Sequence, residues 1–192
     1  MHCRESSVNS LGQQQKYAPL SIALHWITVI MMLAIYATIE LHEIIPRENP
    51  LRGAMEDWHI FLGLCMLLLG AYRLSVNLRL QPPGILPRPP QWQMRLTSLM
   101  KIYLYILMIT MPIVGWIFVS AEGEAVKLFF IPMPGIATVS ESLAGIAEEA
   151  HEIFGVSAYL FIAVHALAAL HHHYLVKDDT LKRMLPDFIS RS

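Results

Sequence analysis

Cysteine is almost missing from this chain of 192 residues: Cys3 and Cys65 are the whole supply. Two thiols cannot build a disulfide framework, and neither stands in a Cys-x-x-Cys-His motif, which excludes covalent haem attachment. Cys65 reads as a small buried apolar residue. Charge is scarce too. Asp, Glu, Lys and Arg make up 15% of the chain, and none falls within Tyr17 to Ile39, Ile102 to Ala121 or Ile153 to Val176. Met1 to Lys16 lacks the apolar stretch of a cleavable signal and is expected to form a short disordered arm. There is no internal repeat or low-complexity tract, and no nucleic-acid partner is expected.

What the chain has instead is grease. Hydrophobic residues make up 55% and the mean hydropathy is +0.46, too apolar for a soluble domain of this size. Each of the three uncharged runs can cross a hydrocarbon core about 30 Å thick, which takes about 20 helical residues. A fourth span needs Asp57 to about Leu78, with Arg73 and Arg79 snorkelling or finding partners. Short connections then predict an all-α, up-down-up-down four-helix bundle in the membrane. Helices are expected at about 19–40, 57–78, 97–120 and 149–175, within a domain of 17–187 followed by a tail of 188–192. Five prolines between Gln81 and Pro90 suit a stiff, extended link.

Loop charge orients the bundle. The N-terminus, second loop and C-terminus together carry eleven Lys and Arg, while the first and third loops carry only Arg47, Arg52 and Lys127. The basic side faces the cytoplasm, so both termini are expected there. Eleven of the fifteen acidic residues lie on the opposite side.

Four histidines stand out against this background: His25, His59, His151 and His165. An ionisable side chain in a membrane span defaults to a functional reading, although a single one is equally at home as a hydrogen-bonded core residue. Depth pairs them. His25 and His165 lie toward the cytoplasm, and His59 and His151 toward the outside. His151 and His165 are fourteen residues apart, which on a helix is 40° short of four full turns and a rise of about 21 Å. Two stacked rings on one face call for two stacked ligands, and two histidines at each level can fill both axial positions of a b-type haem.

The helix faces agree with this. His59, Gly63, Met66, Gly70 and Arg73 form one stripe on the second span. Arg73 arrives at the level of the inner pair, where a guanidinium is a candidate partner for a haem propionate. On the fourth span the stripe is His151, Gly155, Ala158, Ile162, His165, Ala169 and His172. Gly and Ala on such stripes also serve plain helix packing. His42 falls off the stripe of His25 and reads as interfacial. The run His171, His172, His173 complements the helix dipole, and Trp26, Trp58, Trp92 and Trp116 fit interfacial belts.

These residues resemble the bacterial cytochrome b561 family over about residues 17 to 187. The resemblance is carried by Ser21-Ile22-Ala23-Leu24-His25-Trp26, His59-Ile60-Phe61-Leu62-Gly63, Tyr72-Arg73-Leu74 and His151-Glu152. It continues in the stretch from His165 through His171-His172-His173-Tyr174, Lys177-Asp178-Asp179-Thr180-Leu181 and Met184-Leu185-Pro186. It implies two bis-histidine b haems in the inner membrane and electron exchange with membrane quinone. In one member the donor is superoxide and ubiquinone is reduced. Here the acidic outer loops make a poor field for that anion, so the donor stays open.

His172 lies one heptad past His165, about 10 Å along the helix. There it is a candidate to hydrogen-bond a quinone carbonyl and pass it a proton, or a simple helix cap. Lys177 and Asp178 are further candidates for that relay. Two alternatives to a dihaem cytochrome remain: a metal-ion transporter using the intramembrane histidines, and an anchor passing electrons for a separate dehydrogenase.

Overall fold

The computed structural model describes residues 16–80, 89–128 and 131–186. The expected N-terminal arm up to residue 15, most of the proline-rich link and the tail lie outside these residues. Four long helices make up the described chain: α1 (Pro19–Ile44), α2 (Leu51–Arg79), α3 (Gln91–Glu122) and α4 (Glu141–His171). All four are long and apolar enough to cross a membrane.

Each helix runs past the apolar stretch that marks it in the sequence. Only the part in hydrocarbon must be apolar, and the end turns in water take any side chain. Glu40 and Glu43 thus ride on the last turns of α1, and Glu56 and Asp57 on the early turns of α2.

Helix ends follow local chemistry. Pro19 opens α1, where its missing N–H costs nothing. Asn49 Oδ1 accepts from the Leu51 amide at 3.0 Å where α2 begins. Gly123, at φ 85°, terminates α3 in the left-handed conformation that suits glycine. Ser140 caps α4 by accepting from the Leu143 amide at 3.3 Å. At its far end α4 loosens into a π turn, His172–Val176.

Between α3 and α4 two short strands pair antiparallel, β1 (Lys127–Leu128) and β2 (Ile131–Pro132). This hairpin caps one end of the bundle, hereafter the hairpin end. The cluster Leu64, Val119 and Val126 lies beneath it, joined by Ile60, Trp116 and Met133. The opposite, terminal end is tied by the C-terminal segment. Trp26 Nε1 donates to the Met184 carbonyl at 2.8 Å, and Arg183, nearly fully buried, ion-pairs with Asp179 at 3.6 Å.

The closest helix packing is α1 on α2, α3 on α4 and then α2 on α3. The outward surface carries Ile30, Leu33, Leu68 and Leu160, each more than half exposed. In water that surface would be an aggregation hazard, and in lipid it is the solvent-matched one.

Candidate functional site

Two histidine pairs face each other across the bundle interior. At the hairpin end, His59 of α2 and His151 of α4 have ring centres 6.0 Å apart with planes at 81°. Toward the terminal end, His25 of α1 and His165 of α4 are 6.4 Å apart at 67°. An iron shared end-on by two imidazoles, at about 2 Å per metal–nitrogen bond, sets ring centres roughly 6 Å apart. Both pairs have that separation. Among the described residues no three His, Cys, Asp or Glu side chains converge on a point. The histidines meet only in twos.

The surroundings of the hairpin-end pair fit a flat group. His59 Nδ1 lies 3.2 Å from the Ile35 carbonyl. Donating there fixes the tautomer and leaves Nε2 its lone pair, the usual orienting device for a ligating histidine. Gly63, one turn along α2 from His59, borders open space: a Cβ there would meet nothing within 4 Å. Gly115 of α3 does the reverse. A Cβ on it would stand 3.0 Å from His151 Cε1 and 3.2 Å from Nδ1, so the ring passes over α3 where a side chain is missing. His151 Nδ1 is buried beside the Met111 carbonyl but falls outside hydrogen-bond geometry. Gly70, on the same stripe as Gly63, is no cradle. Its Cβ position is 3.4 Å from Met108 Cε, which makes it a packing glycine.

The terminal-end pair is bound up with Arg73. Its Nη2 lies 2.9 Å from His25 Nδ1, and its guanidinium sits 5.6 Å from the centre of the Tyr105 ring. Guanidinium only donates, so in this arrangement His25 Nδ1 accepts and the ring proton resides on Nε2.

His172 opens the π turn two turns beyond His165, with both nitrogens occupied. Nδ1 lies 2.5 Å from Asp178 Oδ2, and Nε2 lies 2.6 Å from the Gln93 side-chain nitrogen at the start of α3. Lys177, the one residue besides glycine with positive φ among those described, turns the chain at φ 58° and brings Asp178 back onto His172. Burial opposes the charge on Asp178, but hydrogen bonds from His172 and Thr180 outweigh it and hold the carboxyl below its usual range.

Other expected sites fall as follows. His42, on the last turn of α1, has its Nδ1 3.2 Å from the carbonyl of Arg52, on the first turn of α2. Trp26 is a tie to the C-terminal segment as well as a belt residue. Gly115, Gln93 and Tyr36, whose hydroxyl donates to the Gly155 carbonyl at 2.9 Å, carried no sequence signal. Each acts across a contact between distant segments.

The family model for prokaryotic cytochrome b561 matches residues 16–187. The chain is 33% identical over 171 residues to cytochrome b561 homolog 1 of Escherichia coli K12, covering 89% of this chain and 97% of that one. It is 32% identical over 172 residues to the probable superoxide oxidase CybB of Yersinia pestis, covering 90% and 97%. Cytochrome b561 homolog 2 of Escherichia coli K12 matches at 25% over 178 residues. The chain therefore belongs to the prokaryotic cytochrome b561 family, the multi-pass b-type haem proteins that carry electrons in the bacterial inner membrane.

Proposed function

We propose that this protein is a dihaem cytochrome moving electrons between a donor at the hairpin face and membrane quinone at the terminal face. The carrying observation is the two facing pairs, each with the ring separation of two imidazoles on one iron. His59 and His151 would hold one haem b, and His25 and His165 the other. A haem held by two histidines would supply one-electron transfer and not oxygen binding.

The protein's own part is to hold and insulate. Ile35 fixes the His59 tautomer, Gly63 leaves room, and Gly115 lets His151 turn across α3. The excess of basic residues around the termini supports a cytoplasmic placement of that face. His172 would then meet quinone at the cytoplasmic interface.

Superoxide is the candidate donor suggested by the name of one relative, which is a probable superoxide oxidase. The hairpin face favours it little. A cleft there is lined by His42, Arg47, Arg52, Glu48 and Glu56, among others. Arg52 is already spent on the His42 and Ile45 carbonyls and on Glu43. Of that cleft's two arginines this leaves Arg47, with Glu48 and Glu56 lining the same cleft, a weak field for a small anion. A metal transporter would want several ligands around one ion, and the pairwise grouping argues against it.

Haem analysis of the purified protein tests the proposal. Two haem b per chain are expected. His25→Ala or His165→Ala should remove one haem, and His59→Ala or His151→Ala the other. One haem in the unmutated protein, or full content in all four variants, would overturn it.

A further inference from the structure

Within six residues the end of α4 departs from α geometry twice, through the π turn His172–Val176 and the left-handed Lys177. The outcome is an imidazole with a side chain on each nitrogen. A helix cap needs neither. It needs only positive charge near the last carbonyls.

The chemistry of the three groups sets their roles. The Asp178 carboxylate accepts only, so His172 Nδ1 carries the proton and Nε2 is the acceptor, facing the amide group of Gln93. If Nε2 takes up a proton, the Gln93 amide can turn and offer its oxygen, while Asp178 balances the imidazolium charge. The arrangement holds either protonation state without rebuilding the backbone. Asp178 is itself anchored, since its Oδ1 accepts from the Thr180 amide at 2.9 Å. Its neighbours Asp179 and Arg183 are paired with each other, and His171 is stacked edge-on against His172 at 5.9 Å.

We propose that Gln93, His172 and Asp178 form a proton-delivery line for a quinone, in which Asp178 reserves Nε2 as the working nitrogen and Gln93 is the place-holder the quinone carbonyl displaces. This rests on the quinone reading above. Reducing one quinone to quinol takes two electrons, supplied singly by the reduced cytochrome, and two protons. For one proton, the Nε2–H bond breaks as an O–H bond forms at the carbonyl oxygen, and His172 is recharged from cytoplasmic water. The second proton reaches the other oxygen by a repeat of that step after the head group turns, or directly from water. Asp178 is a positioning residue: it touches His172 and not the substrate.

The test uses the full-length, haem-loaded protein with a soluble ubiquinone analogue. Asp178→Asn keeps the size of the side chain and one acceptor oxygen, enough for Nδ1–H or the Thr180 amide but not both, and cancels the charge. It should leave haem spectra and KM unchanged, lower kcat about tenfold and enlarge the solvent deuterium effect. Gln93→Leu should lower KM severalfold, because nothing then competes for Nε2. Nitrogen-15 NMR of labelled histidine should find His172 protonated at Nδ1 in the native protein and a tautomer mixture in Asp178→Ala, a readout independent of turnover. If His172→Ala slows exchange while Asp178→Asn and Gln93→Leu change neither kcat, KM nor the isotope effect, the relay is overturned and the quinone site stands. If His172→Ala itself leaves exchange unchanged, the quinone site is elsewhere and the relay falls with it.

Discussion

Arg73 Nη2 and His25 Nδ1 stand 2.9 Å apart, and that contact cannot persist when iron sits on His25 Nε2. A neutral imidazole has one N–H. Receiving a bond from guanidinium at Nδ1 puts the proton on Nε2, where the metal needs a lone pair. If His25 holds a haem iron as proposed, the proton would have to move to Nδ1 and Arg73 would turn away, free to meet an acceptor such as a haem propionate. Arg73→Leu should keep both haems and lower the inner potential, on the order of tens of millivolts, since a nearby cation disfavours the more positive oxidised state. A redox titration that finds the inner potential unchanged would remove Arg73 from that role.

Gly115 and Gly63 make opposite predictions. Gly to Ala inside a helix ordinarily stabilises by up to about 1 kcal/mol. Gly63→Ala should follow that rule, since its Cβ meets no protein atom within 4 Å. At Gly115 the Cβ would press on the His151 ring from 3.0 Å, and overpacking of this kind costs about 1–3 kcal/mol. Melting of the two variants in detergent should diverge in sign. Gly115→Ala should also disturb the hairpin-end haem spectrum through the His151 ring.

Gly63→Leu offers a complementary check. Filling the open space beside His59 should exclude the hairpin-end haem and spare the terminal one. Normal content of both haems in this variant would show that the space beside Gly63 is not the cradle.

Asp178 also gives the C-terminal segment an acid sensitivity of defined sign. Its folded carboxyl is held low, by hydrogen bonds from His172 and Thr180 that prevail over burial. The stability it lends is therefore full above the ordinary aspartate value, about 4, and is lost as pH falls through the lower folded value. Asp178→Asn should melt earlier than the native protein at pH 7, with a cost of about 1.5–3 kcal/mol, the range for a hydrogen bond to a charged group. The gap should be smaller at pH 3 than at pH 7. An equal gap at both pH values would mean the carboxylate charge adds nothing to the fold.

The spans were legible in the sequence because hydrocarbon tolerates so little, and three runs without charge leave few other readings. Depth and the 14-residue interval brought His25 to His165 and His59 to His151, and the rings do face each other. Helix ends were less legible. Once a helix leaves lipid its limits depend on caps such as Ser140 and Gly123, which a hydropathy pattern does not weigh. Gly115 could not be found in advance: it meets His151 across a turn and a hairpin, and its neighbours Val114 and Trp116 give no hint of a ring above it. Gln93 was hidden for the same reason. Asp178 was visible as a candidate, but not that Lys177 would swing it back onto His172.

Because α4 lends one histidine to each pair, the interval from His151 to His165 behaves as a reading frame. One residue inserted there would rotate everything beyond it by about 100° and advance it by about 1.5 Å, taking His165 off the face it shares with His151. The loops face no such rule, and the hairpin or the proline-rich link can grow or shrink without changing the spacing of the two histidine pairs. Length variation among relatives of this protein should therefore gather in the connections and be missing from the thirteen residues between these two histidines.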